Sequence, residues 1–163
     1  MVNSKEIVKI ADAEFSKDKN YRYSLCRIFN SDLPLILYIM YNPSTADRTD
    51  DDPTIKRLIN RTSGLGYGGF YVSNLYANIN PSTINNNSID VRNQECISNI
   101  LKTRNIGMVI YAWGKNQQSP LWLNDIVIDC NIQPYCLKIN NNNVPTNLSR
   151  LPYNIKPMPY TNI

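Results

Sequence analysis

The chain has 163 residues, 42% of them hydrophobic, and a formal net charge of +4, which suits one domain with a real core and is compatible with anionic partners. It contains no histidine, which excludes Ser-His-Asp and Cys-His catalysis and leaves acid–base work to Asp, Glu, Lys, Tyr or bound water. Cys26, Cys96, Cys130 and Cys136 form no C-x-x-C pair, so a zinc site is not expected and the thiols are read as free and buried.

In chain order, Ser4 to Phe15 carries Ile7, Val8, Ile10, Ala11 and Phe15 at helical spacing with Ser4 as N-cap, which predicts a helix. Tyr21 to Phe29 alternates and reads as a half-exposed strand. Leu35 to Tyr41 is a continuous apolar run, as a strand buried on both faces requires. Phe70–Leu75 and Met108–Trp113 have the same character, and Gln133–Ile139 is a weaker fourth. Between them lie three helical segments. The first starts at Pro53, with Asp52 as N-cap, and runs to about Ser63. The second spans about Val91–Thr103 and the third about Ser119–Asp129.

This order predicts a single α/β domain over 1–163, built on a mainly parallel central sheet with helices on both faces. The prolines at 145, 152, 157 and 159 make 144–163 a C-terminal coil. No apolar run approaches the roughly eighteen residues that cross a membrane. The opening Met-Val-Asn-Ser-Lys-Glu lacks the order of a signal peptide. A cytoplasmic location without a membrane partner is expected, and no cofactor or metal is implied. Most of the 24 asparagines read as compositional drift.

In parallel sheets, ligands bind beyond the carboxyl ends of the strands. There this sequence places Asn42-Pro43-Ser44-Thr45-Ala46-Asp47-Arg48-Thr49-Asp50-Asp51-Asp52-Pro53-Thr54, then Asn74, Tyr76 and Asn78, then Trp113-Gly114-Lys115-Asn116. All three segments are expected to converge on one crevice. Asn42 offers an amide to a base edge, Pro43 stiffens the turn, and Ser44 and Thr45 add hydroxyls. Four aspartates within six residues repel one another. Asp52 accounts for itself as an N-cap worth about 1 kcal/mol. The others sit in solvent, pair with Arg48, Arg57 or Arg61, orient a water, or hold a cation such as Mg²⁺. Trp113 and Tyr76 either stack on a base or cap the core.

The strings Arg22-Tyr-x-Leu-x-Arg27, Met40-Tyr-Asn-Pro-Ser-Thr-Ala-Asp47, Asp51-Asp-Pro-Thr-Ile-x-Arg57, Gly66-Tyr-Gly-Gly69, Asn74-Leu75 and Ala112-Trp-Gly114 closely resemble the bacterial and phage domain-of-unknown-function family 1643. The resemblance runs from about residue 21 to 138. Arg22, Arg27, Asp51, Asp52, Thr54 and Arg57, which these strings contain, are expected to belong to the ligand site with the loop residues. Members commonly carry a Gly-x-Pro-x-His-Pro-like segment after the last strand; here Asn143 to Ser149 stands in its place, without histidine. More distantly, the order of strands and turns resembles the uracil-DNA glycosylase superfamily. That likeness implies a three-layer fold in which Asn42 and Asp47 face a scissile N-glycosidic bond and Asn74 lies in the base pocket.

The expected function is therefore recognition of a nucleotide or nucleobase, with N-glycosidic hydrolysis as its catalytic form. One alternative is a phage-type protein that sequesters a nucleotide signal of host defence without turnover. Another is an Mg²⁺-dependent nuclease or phosphotransferase using Asp47, Asp50 and Asp51. The charge also allows nucleic acid as partner, and the oligomeric state stays open.

Overall fold

The alternation of Leu35–Met40 explains its unbroken apolarity. Ile36, Tyr38 and Met40 enter one core, Leu37 and Ile39 the other, and no residue of the strand reaches solvent. A computed structural model of the protein, which describes residues 7–80 and 90–163, places this strand near the middle of a seven-stranded sheet. The strands are β1 (Ile10–Phe15), β2 (Arg22–Ile28), β3 (Leu35–Met40), β4 (Gly69–Asn74), β5 (Ile106–Tyr111), β6 (Pro134–Cys136) and β7 (Met158–Pro159). Their order across the sheet is β1-β2-β4-β3-β5-β6-β7.

Helix α1 (Pro53–Gly64) buries Ile55, Leu58 and Ile59 against Tyr38, Phe70, Val72 and Ile110 on one face. Helices α2 (Val91–Thr103) and α3 (Leu121–Asp129) bring Ile97, Ile100, Leu123 and Val127 to Leu37, Ile39 and Val109 on the other. The starts of α1 and α2 follow their caps: Asp52 accepts from the Ile55 amide and Asp90 from the Asn93 amide. Helix α3 starts after Pro120 without a side-chain cap, two residues later than the expected Ser119.

Several expectations are corrected. Of the segment expected as a helix over Ser4–Phe15, Ile7 is helical but Ile10–Phe15 is an edge strand; residues 4–6 lie outside the described residues. Ala11, Ala13 and Phe15 alternate with Asp12 and Glu14, a period of two that pairing with β2 rewards more than helical spacing does. Strand β2 is buried along its whole length, not half-exposed, because β1 and β4 flank it and both faces are covered. The sheet is mixed, not mainly parallel. β4, β3, β5 and β6 pair in parallel, whereas β1–β2, β2–β4 and β6–β7 are antiparallel. The fourth run shortens to the three residues of β6. Beyond it the chain carries a 3-10 turn at Leu148–Arg150, and β7 pairs back onto β6. Among the described residues no helix is long and apolar enough to cross a membrane.

Candidate functional site

β3 and β4 run in parallel and end level, Met40 opposite Asn74. The chain leaves both together: the Leu75 amide donates to the Met40 carbonyl and the Tyr76 amide to the Tyr41 carbonyl. A cavity of about 160 Å³ opens at these two ends. Arg22, Asn42, Ser44, Thr54, Asn74 and Asn147 supply its polar wall; Met40, Tyr41, Ile55 and Val72 supply the apolar wall. Among the described residues no carboxylate lines it.

The Asn42–Asp52 loop is folded around the carboxylate of Asp52. One oxygen accepts from the Ile55 amide at 2.8 Å, and the other accepts from the Ser44 hydroxyl and, at 3.3 Å, from the Ala46 amide. The N-cap of α1 thereby also closes the loop and presents Ser44 and Thr54 at the cavity. Asn42 is held from the other side, its Nδ2 donating to Asn78 Oδ1 at 3.3 Å.

Beneath the loop lie two buried arginines of β2. Phe15 pairs with Arg22 and Glu14 with Ser24, so Tyr23 has no partner in the register and forms a bulge. The extra residue lets Arg22 and Arg27, five positions apart, both reach the same loop. Arg22 donates to the Ala46 carbonyl at 2.7 Å, and Arg27 donates to the Asp47 carbonyl at 2.8 Å and pairs with Asp51 at 2.8 Å. Burial lowers the Arg22 pKa to about 10, with Asp52 countering and Arg27 adding to the shift, so the group stays charged at neutral pH. Its Nε is buried without a partner, and so is Oδ1 of Asn74, which is 1% exposed. Both residues line the cavity.

The remaining wall comes from the C-terminal segment. The Gly114 amide donates to the Pro145 carbonyl at 3.0 Å and the Thr146 amide to the Lys138 carbonyl at 2.8 Å, which seats Asn147 at the cavity. Asn147 Oδ1 accepts from the Ser149 amide, so this side chain caps the following turn with its carbonyl. Gly114 has φ +70°, and a Cβ there would stand 2.4 Å from the Cβ of Asn147; only glycine allows the two segments to meet so closely. Asn147 was not among the expected site residues, although it stands in the Asn143–Ser149 stretch set against the family's histidine-bearing segment; it is one asparagine among 24, and its contacts with Gly114 single it out.

The other expected residues sit elsewhere. Pro43 is buried in the turn and Thr45 is exposed. Asp47 turns back on its own loop, accepting from the Asp50 and Thr49 amides, and those bonds lower its pKa. Arg57 points away, donating to the Leu151 carbonyl at 2.8 Å and stacking over Tyr153. Tyr76 stands beside the cavity, edge-on to Tyr41, with its hydroxyl on Gln117. Trp113 is 1% exposed and packs on Tyr111 and Tyr160, its indole donating to the Gln117 carbonyl. Of the expected site, Arg22, Asn42, Ser44, Thr54 and Asn74 meet at one cavity, whereas Pro43, Thr45, Asp47, Arg57, Tyr76 and Trp113 are not in its wall. Arg27, Asp51 and Asp52 support it from behind.

The family model described as Protein of unknown function (DUF1643) matches residues 22–146, from Arg22 to the residue before Asn147. No curated protein matches the chain.

Proposed function

The chain belongs to the DUF1643 family, whose description assigns no activity, and from the site itself we propose that the cavity takes the base of a nucleoside or nucleotide. The observation that carries this is the pairing of two unsatisfied buried atoms, a donor on Arg22 and an acceptor on Asn74, in residues of one small cavity. A buried polar group without a partner costs about 1–3 kcal/mol, and a ligand that supplies the partner recovers it. Amide side chains offer a donor and an acceptor side by side, which is the pattern of a base edge, and Tyr41 with Met40 and Val72 offers the apolar contact a ring needs. Drug-sized ligands occupy roughly 300 Å³ or more. A cavity of about 160 Å³ suits a single base and leaves the sugar and its substituents at the mouth.

Recognition without turnover is the leading form, because among the described residues no carboxylate lines the cavity and the Asp47 carboxylate is spent on its own loop. Such a protein would act by sequestering its nucleotide, and its four free thiols suit the cytoplasm. The Ser44–Asp52 contact favours a second form. Ser44 would orient a water whose oxygen bonds to the anomeric carbon as the N-glycosidic bond breaks; the water's proton passes to Asp52, and the base leaves with the bonding electrons and is protonated by solvent. This form extends the likeness to the uracil-DNA glycosylase superfamily; aligned on Pro145, Asn147 occupies the place of the histidine in the family's segment. The Mg²⁺ reading needs Asp47, Asp50 and Asp51 to converge. It finds Asp47 bonded to backbone and Asp51 paired with Arg27.

The test is a thermal-shift series with free bases, nucleosides and nucleotides, followed by chromatography of the mixtures. A binder present at a hundredfold excess over its Kd stabilises the fold by about 2.7 kcal/mol. Stabilisation with the ligand recovered intact supports sequestration. Release of free base supports hydrolysis. No stabilisation by any base-containing compound refutes the proposal.

A further inference from the structure

Beside the cavity stands a cation that joins none of the ion pairs among the described residues. Lys115 lies just beyond β5 and extends its ammonium over the ring of Tyr41, 5.6 Å from the centroid. Tyr41 itself lines the cavity, and Tyr76 packs edge-on against it with centroids 5.2 Å apart. The loop that bears Lys115 is fastened on both sides. Gly114 donates to the Pro145 carbonyl, the Gln117 amide donates to the Lys115 carbonyl, and the Gln117 side chain accepts from the Tyr76 hydroxyl. Asn142 adds a bond to Asn116 at 2.7 Å.

The ion pairs among the described residues are Arg27–Asp51, Arg48–Asp12 and Arg92–Glu14, so Lys115 is engaged in none of them. The cavity wall adds the charge of Arg22 and, among the described residues, no carboxylate. A free base or nucleoside in the cavity would make no use of Lys115. A phosphate on the sugar, left at the mouth by a cavity too small to enclose it, would bring about −1.5 to −2 charges to this ammonium.

We propose that Lys115, held over the Tyr41 ring of the cavity wall, is a phosphate subsite, so that the ligand is a nucleoside phosphate and not a bare nucleoside or base. This rests on the base-binding reading of the cavity, which it deepens. The phosphate could belong to a mononucleotide or to a nucleic acid strand.

The experiment is a calorimetric titration of the wild-type protein and Lys115→Gln. The probes are a set of nucleosides, their 5′-monophosphates and a short single-stranded oligonucleotide, each at two salt concentrations. Lys115 is exposed, so the variant should melt with the wild type. In the wild type a monophosphate should bind about tenfold or more tightly than its nucleoside, equivalent to roughly 1.4 kcal/mol. Lys115→Gln should narrow that gap to about threefold or less while leaving the nucleoside affinity unchanged, and salt should narrow it in the wild type alone. A salt slope near one would assign the phosphate to a mononucleotide, and a slope of several to a strand. Equal affinity for nucleoside and monophosphate, or a gap that survives Lys115→Gln, overturns the subsite and leaves the base-binding reading standing. Failure of every probe to bind overturns both.

Discussion

Gly114→Ala should cost more than its single methyl suggests. At φ +70° the backbone is left-handed, which for a residue with a Cβ costs about 1–2 kcal/mol. The new Cβ would also stand 2.4 Å from Asn147 Cβ and 2.8 Å from its amide nitrogen, and the second of these is backbone that must move. Overpacking of this kind costs about 1–3 kcal/mol, so the sum is about 2–5 kcal/mol. In a domain of this size each kcal/mol shifts Tm by roughly 2–4 °C, so thermal unfolding should show a fall of about 10 °C. Gly64→Ala is the control: nothing lies within 4 Å of its Cβ position, and it should be neutral or slightly stabilising. A Gly114→Ala variant that melts within about 1 °C of the wild type would show that the Pro145–Asn147 segment is not seated on Gly114. The cavity would then lose the wall that Asn147 provides.

Other expectations follow from the loop. Asp52→Ala should cost about 2–4 kcal/mol in urea unfolding, since it removes both the cap and the anion nearest Arg22, whereas Asp52→Asn restores the cap alone and should fall between; an Asn variant equal to wild type would show that Arg22 does not depend on that charge. The Asp47 carboxyl is held below its ordinary value of 3.8 by the Asp50 and Thr49 amides, so its contribution is present above that value and lost as pH falls through the folded pKa. Asp47→Asn should therefore flatten the acid limb of a stability–pH curve, and an unchanged limb would count against the capping role. Burial, then Glu14, pushes the Cys96 thiol up to about 12. With a thiol reagent at pH 8, half-buried Cys130 should react first and Cys96 only on unfolding; comparable rates for the two would contradict the buried α2 face.

Much of this architecture could be read from local pattern. The apolar run of β3 and the Asp52-Pro53 start of α1 are short-range signals, and both hold in the structure. What failed depended on partners far away in the chain. The N-terminal segment satisfies helical spacing over Ile7–Ala11 and strand alternation over Ala11–Phe15, and only the presence of β2 decides between them. The burial of β2 likewise follows from its neighbours β1 and β4. For the site, Asn42, Ser44 and Asn74 were visible because they follow buried strands. The joint approach of Arg22 and Arg27 to the loop requires the Tyr23 bulge, a feature of pairing and not of sequence. For Trp113 the strand end left base stacking and core capping both open, and Tyr160, returning from the far C-terminus to cover it, decides for the core. Asn147 was legible only against the family's histidine-bearing segment, not through spacing or composition.

The central claim is that the cavity at the ends of β3 and β4 binds a base through Asn74 and its neighbours. It is tested most directly by equilibrium titration of the best base-containing ligand against the wild-type protein, Asn74→Ala and Asn147→Ala, with exposed Asn99→Ala as control. Each lost hydrogen bond to a buried partner is worth about 1–3 kcal/mol. Asn74→Ala and Asn147→Ala should therefore weaken binding by about fivefold or more, with Asn99→Ala unchanged. Full affinity in the Asn74 and Asn147 variants would place the ligand elsewhere on the molecule and contradict the account.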